Sequence, residues 1–534
     1  MNKTILIGLD GATFSILDLL MNDGTMPFLK QFVSRGVRAK LLSTVHPLTP
    51  PAFTSMATGR SPGNHGIYDF VKSEEKDGKI FFTLYDSRDI KCETVWSIAS
   101  RQNLKVGLIN YIMTSPPKPL NGYVIPGMVH WRHLRRNIYP EGLYEEIKEQ
   151  LPGFDAKKLA WDFKQEEKAV LFMPDEEYRE WVIHHLERER QWFQITRYLM
   201  KERPSELMAV VFDGGDKIQH ICWEFLDPHF FQPNPSSWES EVRQLCLQYF
   251  RELDGYLKEI VSLAGPNANI FIVSDHGFGP THTKFNANQL LQNFGYLSWK
   301  EDYPDTEEKS ARERENIELD WDKTIAYART RSNNGIYIRI AQKAGQSGIE
   351  PKLYRAFREK LSKQLLDFKD PSTGQQIVKK VIPREEAFPG SLTAEAPDLT
   401  LVLYDYGFIS IANKGSAVEQ RQRVGGTHYP QGIFIAAGPH IRKGSEISEL
   451  SLMDTGPIML YSLNLPVPQD FEGKVPLSIF EEGYLSKNPV LTGPPANNAG
   501  QSRDSGIKTE KDEIRTEEEK QEIYSHLKAL GYMD

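Results

Sequence analysis

Short apolar runs recur along the chain, and most stop at a polar residue. Residues 5–9 stop at Asp10, 106–109 at Asn110, 207–212 at Asp213 and 270–273 at Ser274-Asp275. Residues 399–403 and 433–437 are similar runs that end differently. Runs that stay apolar instead of alternating suit strands covered on both faces. Between them lie segments of helical character, among them 26–34, 92–100 and 242–263. Strands alternating with helices predict an α/β fold, a doubly wound, largely parallel sheet flanked by helices. In such a sheet the ligand site lies beyond the carboxyl ends of the strands. The aspartates closing these runs are therefore candidates for chemistry as well as for helix caps.

Two segments interrupt the alternation. Residues 112–205 are rich in Trp, Arg, Glu and Tyr and read as helical around 176–201. Residues 281–395 hold a charged insert, 300–318, and a β-like run, 335–340. Both read as insertions forming a cap over the site, with Trp131, Trp161 and Trp181 building a small core of the first. The pattern predicts a catalytic domain over 1–485, a Pro/Gly/Asn/Ser-rich flexible linker over 486–515 and a C-terminal helix over 516–534. In that helix Ile523, Leu527 and Leu530 share a face, and Gly531 closes it.

Composition narrows the function. Across 534 residues, 64 Lys+Arg against 72 Asp+Glu leave a net charge of −8. That balance argues against a nucleic-acid polymer or an anionic membrane as partner. A 40% hydrophobic and 11% aromatic content excludes global disorder. The three cysteines, Cys92, Cys222 and Cys246, fit neither a disulfide framework nor a Cys-based zinc site, and suit a reducing compartment. The apolar N-terminal run is cut by Asp10 and lacks a small-residue cleavage site, and no run of about 18 apolar residues follows. A cytoplasmic protein is expected.

Asp216-Lys217-Ile218-Gln219-His220 places a carboxylate and an imidazole four residues apart, on one face of a helix. Asp275-His276 follows a buried run and precedes Gly277, and both side chains reach one ion only where the strand breaks, a break ascribed to Gly277. Gly425-Gly426-Thr427-His428 puts a histidine in a Gly-rich loop before the last long strand, and Asp10 adds a further carboxylate. Mixed Asp/His sites suit Zn²⁺ or Mn²⁺ better than Mg²⁺. The set suffices for two ions about 4 Å apart, a pair suited to phosphoryl transfer. Thr49, flanked by Pro47 and Pro50-Pro51, lies in an extended turn just before a helix, where it is either a cap or a nucleophile. Thr54, Ser55 and Thr58 are rival hydroxyls inside the helical stretch.

With these motifs in chain order, the sequence resembles the alkaline phosphatase superfamily. It looks most like its type I phosphodiesterase/nucleotide pyrophosphatase branch and the related cytoplasmic phosphohydrolase/phosphomutase proteins. The resemblance covers about 1–485 and rests on Gly8-Leu9-Asp10-Gly11, Thr49-Pro50-Pro51-Ala52 through Ile67, Asp216 to His220, Val273 to Gly277 and Gly426-Thr427-His428. It implies an alkaline phosphatase-like fold in which Asp10, Thr49, Asp275 and His276 hold one divalent metal and Asp216, His220 and His428 the other. It also implies that Thr49 attacks phosphorus to give a phosphothreonine that water then releases.

The family pattern also has gaps here. Nucleotide pyrophosphatases usually carry Asn three residues after the nucleophile, where this chain has Ala52, which donates nothing. The sulfatase turn, Cys/Ser-x-Pro-x-Arg, is absent, which disfavours sulfate esters. His130, Arg132 and Lys284 are candidates for the missing phosphate donor. The expectation is a phosphodiesterase or nucleotide pyrophosphatase acting on a small-molecule phosphoester. The alternatives are a phosphomutase or phosphomonoesterase on the same fold, and a catalytically inactive binding protein.

Overall fold

The apolar runs form strands β1 (Lys3–Leu9), β2 (Val37–Leu42), β3 (Val106–Tyr111), β4 (Gly122–Pro126), β5 (Leu207–Phe212), β6 (Ala268–Val273) and β7 (Gln431–Ala437). The computed structural model describes residues 3–76, 79–159, 175–300, 319–343, 346–411 and 415–496. The strands lie in the order β2-β7-β6-β1-β5-β3-β4. From β6 to β4 neighbours run parallel, while β7 is antiparallel to both β6 and β2. Ile5, Ile7 and Leu9 of β1 enter one hydrophobic layer and Leu6 the other. A strand covered on both faces has no polar side to alternate with.

Helices α1 (Thr49–Thr58), α2 (Asp175–Glu202), α3 (Gly214–Leu226), α4 (Ser237–Ala264) and α5 (Thr455–Ser462) flank the sheet. The apolar sides of α2, α3 and α4 cover one face through Trp181, Trp223 and Cys246, and those of α1 and α5 cover the other through Phe53 and Met459. Leu9 is in register with Phe212, and Gly8 with Val273. The residues that follow, Asp10, Asp213 and Asp275, therefore emerge at one edge, as the parallel-sheet rule expects.

Three expectations change. The first insertion, 112–205, is not a separate cap: α2 is a layer of the main domain, and Trp181 is buried in the main core with Trp131 packed against it. Trp161 lies outside the described residues. The run at Leu399–Leu403 belongs to a second, antiparallel sheet with Ala326–Ala328, Gly335–Ile338 and Val378–Pro383. Its own core includes Leu361, Leu399 and Leu401. Thr400 and Val402 alternate with its leucines, the period of such a sheet. The second insertion thus builds a unit that runs past 395, and most of its charged insert, 301–318, lies outside the described residues.

The third change is the start of the linker. Residues 486–496 are held to the body: Thr492–Gly493 pairs with Val467–Pro468, and the Ala496 N–H donates to Asp470. A Pro/Gly-rich segment that cannot ladder with itself is fixed here by a neighbouring loop. The rest of the linker and the helix expected at 516–534 lie outside the described residues. Ending the chain at Ser486, which removes these ties, is expected to lower Tm with metal content kept. Thermal melts and elemental analysis check this, and an unchanged Tm or a loss of metal in the truncated chain would contradict it. Among the described residues no helix is long and apolar enough to cross a membrane.

Candidate metal centre

Asp10 leaves β1 into Gly11, whose positive φ of 66° suits glycine and whose N–H donates to Asp275 Oδ1 at 3.1 Å. Asp216 stands in the first turn of α3, and one turn later His220 Nε2 lies 3.5 Å from Asp216 Oδ1. After β6 the chain bends through Ser274-Asp275-His276, so both ligand candidates turn inward. Gly277 is not the break itself. It begins the strand Gly277–Asn286, and a Cβ there would stand 2.0 Å from the Gln431 carbonyl oxygen. Nor is His428 in a loop: it lies on the strand Val418–Tyr429, opposite Phe278. Gly426 serves close approach there, since its Cβ would meet the Gln219 carbonyl at 2.3 Å.

Two groups of potential ligands result, Asp216–His276–His428 and Asp10–Asp275–His276, each with its ligand atoms within 4.8 Å of one another. His276 joins them, with Nε2 3.2 Å from Asp275 Oδ2, 3.6 Å from Asp10 Oδ1 and 4.0 Å from Asp216 Oδ1. The Nδ1 atoms of His220, His276 and His428 face the carbonyl oxygens of Gly426, Gly277 and Pro47 at 3.2, 3.0 and 3.0 Å. A carbonyl oxygen only accepts, so each Nδ1 carries the proton and each Nε2 presents a lone pair. His220 and His428 then aim two lone pairs at each other across 3.0 Å. That contact is repulsive, and a shared cation relieves it. Asp10 Oδ1, Asp216 Oδ1 and Asp275 Oδ2 are buried without a hydrogen-bond donor among the described residues. These donors fit divalent cations.

The charges agree. Burial, then Asp275 and Asp216, push the Asp10 carboxyl well above its usual range. Burial pushes Asp275 up to about 7 against the Gly11 N–H. Burial acts on Asp216 in the same sense, but His220 and Lys217 outweigh it and hold that carboxyl well below its usual range. Burial and then His428 depress His276, and burial lowers His428 to about 4 against Asp216. The His276 and His428 imidazoles are thus neutral, as ligands must be. A cation displaces the proton of Asp275 below about pH 7, whereas His276 and His428 have already lost theirs. Divalent-cation affinity is therefore expected to fall as pH drops through 7, with protons released on binding. Calorimetry in buffers of different ionisation enthalpy checks this, and proton-free binding at pH 6 would contradict it.

Thr49 is buried and is the first residue of α1, with extended Leu48 in the cap position; it neither precedes the helix nor caps it. Its Oγ1 lies 3.5 Å from His276 Nε2. The rival hydroxyls are used locally: Thr54 donates to the Pro50 carbonyl, Thr58 to the Thr54 carbonyl, and Ser55 pairs with His65. Pro50 and Pro51 have no N–H and Ala52 N–H bonds the Leu48 carbonyl, so this helix start offers an anion little besides the Thr49 amide.

His130 and Arg132 flank Trp131 at the start of a short helix, with Arg132 stacked on the indole at 5.4 Å. Lys284 faces Glu419 at 3.9 Å. Sequence reasoning gave no role to two groups at the centre. Lys217 is buried with Nζ 3.2 Å from Asp216 Oδ2, and its place inside the Asp216–His220 motif was the available signal. His46, three residues before Thr49, is buried against Phe408 and pushed down to about 3 by burial and by His428. Behind the centre, buried Arg188 pairs with Asp213 at the start of α3.

The family profile described as type I phosphodiesterase / nucleotide pyrophosphatase matches residues 4–431. Among solved structures, phosphonoacetate hydrolase from Sinorhizobium meliloti 1021 in complex with phosphonoacetate aligns with a TM-score of 0.52 at 15% identity, over 86% of this chain and 95% of that one. Its complex with phosphonoformate gives a TM-score of 0.50 at 15% identity, over the same 86% and 95%. Human ectonucleotide pyrophosphatase / phosphodiesterase 5 gives 0.49 at 14% identity, over 89% of this chain and 98% of that one. The phosphonoacetate hydrolase alignments support the alkaline phosphatase-like fold. A comparison with curated proteins finds no match.

Proposed function

Since the chain belongs to the type I phosphodiesterase / nucleotide pyrophosphatase family, and so is a metal-using hydrolase of that fold, we propose that it cleaves phosphodiester or pyrophosphate bonds of small molecules with Thr49 as nucleophile. The observation that carries this reading is the buried Thr49 hydroxyl, 3.5 Å from the histidine common to both ligand groups. In this reading Asp10, Thr49, Asp275 and His276 hold one cation, and Asp216, His220 and His428 the other. The mixed oxygen and nitrogen donors favour Zn²⁺, with Mn²⁺ next. When bound, the cations supply positive charge that favours the ionised hydroxyl and offsets the charge of the phosphoryl oxygens.

The chain's own residues supply position. The first turn of α1 and its prolines orient Thr49, while Leu48, Phe70 and Phe408 form an apolar cluster beside it that excludes water. The Thr49 oxygen bonds to phosphorus as the bond to the leaving oxygen breaks, and water later releases the phosphoryl group. Free, buried cysteines at 92, 222 and 246 support placing the protein in the cytoplasm.

The test is a panel of bis(p-nitrophenyl) phosphate, p-nitrophenyl phosphate and nucleoside pyrophosphates with Zn²⁺ and with Mn²⁺. Diesters and pyrophosphates are expected to turn over faster than the monoester. Monoester preference, phosphoryl return without release to water, or no turnover of the metal-loaded protein would each reject the reading.

A further inference from the structure

A cavity of about 690 Å³ lies between the main domain and the second unit. That is the volume of a small-molecule site. None of the residues assigned above to a cation lines it, and neither does Thr49. One wall comes from 66–72 and 85–91 of the main domain, the other from residues between 327 and 398 of the second unit.

Two ties fix the walls to each other. Tyr68 donates to the Leu392 carbonyl at 2.7 Å and packs edge-on against Phe388. Asp69 accepts from the Thr330 hydroxyl at 2.6 Å and from that of Ser332. The cavity is therefore formed before any ligand arrives. On the second unit, Tyr327 and Tyr337 stand directly opposite each other on Ala326–Ala328 and Gly335–Ile338, so their rings share a face. The Tyr327 hydroxyl accepts from Arg329 Nε and Nη2 at 3.1 and 2.9 Å, which holds the guanidinium over the Tyr337 ring, 3.8 Å from its centroid. On the main-domain wall, Tyr85 backs onto Ile67 and Ile90.

The charges of this lining nearly cancel, with five basic side chains against four acidic ones. Some are paired with each other: Lys72 lies 2.5 Å from Asp89, and Arg384 lies 3.2 Å from Asp398. A cleft attracts an ion when one sign of charge dominates its walls. Here an anion meets Asp89, Asp398 and Glu395, and a cation meets Lys91 and the arginines, so neither is favoured.

Among the described residues, three polar groups of the lining have no hydrogen-bond partner: the Tyr85 hydroxyl, the Lys91 ammonium and the Glu395 carboxylate. Burial, then Tyr337 and Asp69, push the Tyr85 phenol up, so it stays protonated. The ammonium only donates, the carboxylate only accepts and the phenol does both. A ligand hydroxyl serves all three, because it donates and accepts without carrying charge. The tyrosines add apolar ring surface beside their polar tips. Hydroxyls on a frame with an apolar C–H face describe a sugar ring.

We infer that this cavity is a binding site for a neutral saccharide, separate from the metal centre, in which Tyr85, Lys91 and Glu395 hydrogen-bond sugar hydroxyls and the tyrosine rings take the C–H face. The site stands whether or not the functional reading above holds.

Calorimetry and saturation-transfer NMR with the metal-loaded protein test it, using D-glucose, D-mannose, D-galactose and trehalose as probes. At least one is expected to bind with a Kd of about 1 mM or tighter. Binding of none would overturn the site. Glu395→Ala and Tyr85→Phe should each weaken that binding about fivefold or more. Glu395 is exposed and Tyr85→Phe keeps the ring, so both variants are expected to fold; unchanged affinity in both would overturn the assignment. D-glucuronate and D-glucosamine, each carrying one charge, are expected to bind no tighter than the best neutral sugar. Either binding about tenfold tighter would overturn the neutral class of ligand. Saturating inorganic phosphate, a probe of the metal centre, should leave the sugar's affinity unchanged, and competition between the two would overturn the separate site.

Discussion

Thr49→Ala is expected to lower turnover roughly a hundredfold or more while leaving metal content near that of the parent protein. The hydroxyl is buried 3.5 Å from His276 Nε2, and the helix that presents it starts at Thr49 itself. Loss of the hydroxyl leaves the Asp and His donors in place, so activity and metal binding should separate. Thr49→Ser should retain part of the rate, since the oxygen stays on the same backbone. The controls are Thr54→Ala and Thr58→Ala, whose hydroxyls are bonded to helix carbonyls and are expected to affect Tm more than rate. A covalent route also predicts retention of configuration at a chiral phosphorus, because two inversions cancel. Inversion, or a Thr49→Ala protein with near-normal rate, would reject the nucleophile and leave the metal centre standing.

What the sequence made legible follows from locality. Strands β1, β5 and β6 were readable because both faces are buried, and Asp10 and Asp275 because they end such runs. The Asp216–His220 pair was readable because helical spacing is a local property. The details that make these groups a site lie between distant residues. His428 Nδ1 bonds the carbonyl of Pro47, 381 residues away, and Gly11 N–H bonds Asp275, 264 residues away. No local pattern announces either contact.

Errors in the reading have similar causes. Glycines at 277 and 425–426 read as loop signals, yet they belong to strands, and at 277 and 426 the backbone passes too close to a neighbour for a Cβ. The aromatic residues of 112–205 read as a separate core because no local pattern shows that α2 packs with α3 and α4 into one layer on the main sheet.

Metal content gives the second large effect. The protein is expected to bind about two divalent cations per chain. His428→Ala should weaken one of them roughly a hundredfold or more, a larger loss than removing an outer hydrogen bond to a ligand brings. Its ring is held by the Pro47 carbonyl and its Nε2 lies 3.1 Å from Asp216 Oδ1, so its removal leaves Asp216 and His220 as an incomplete set. The group around Asp10 and Asp275 does not contain it and should keep its cation. Asp275→Asn should do the reverse. His276→Ala should disturb both, because Nε2 reaches Asp10, Asp275 and Asp216 and its ring stacks on His428 at 3.5 Å between centroids. His440→Ala is the control, an imidazole stacked on Tyr484 that should leave both cations bound. Elemental analysis after reconstitution with excess Zn²⁺ or Mn²⁺ reads the outcome. A parent protein holding one cation or none, or a His428→Ala protein that keeps two with unchanged affinity, would mean that the repulsion between His220 and His428 is relieved by something other than a metal.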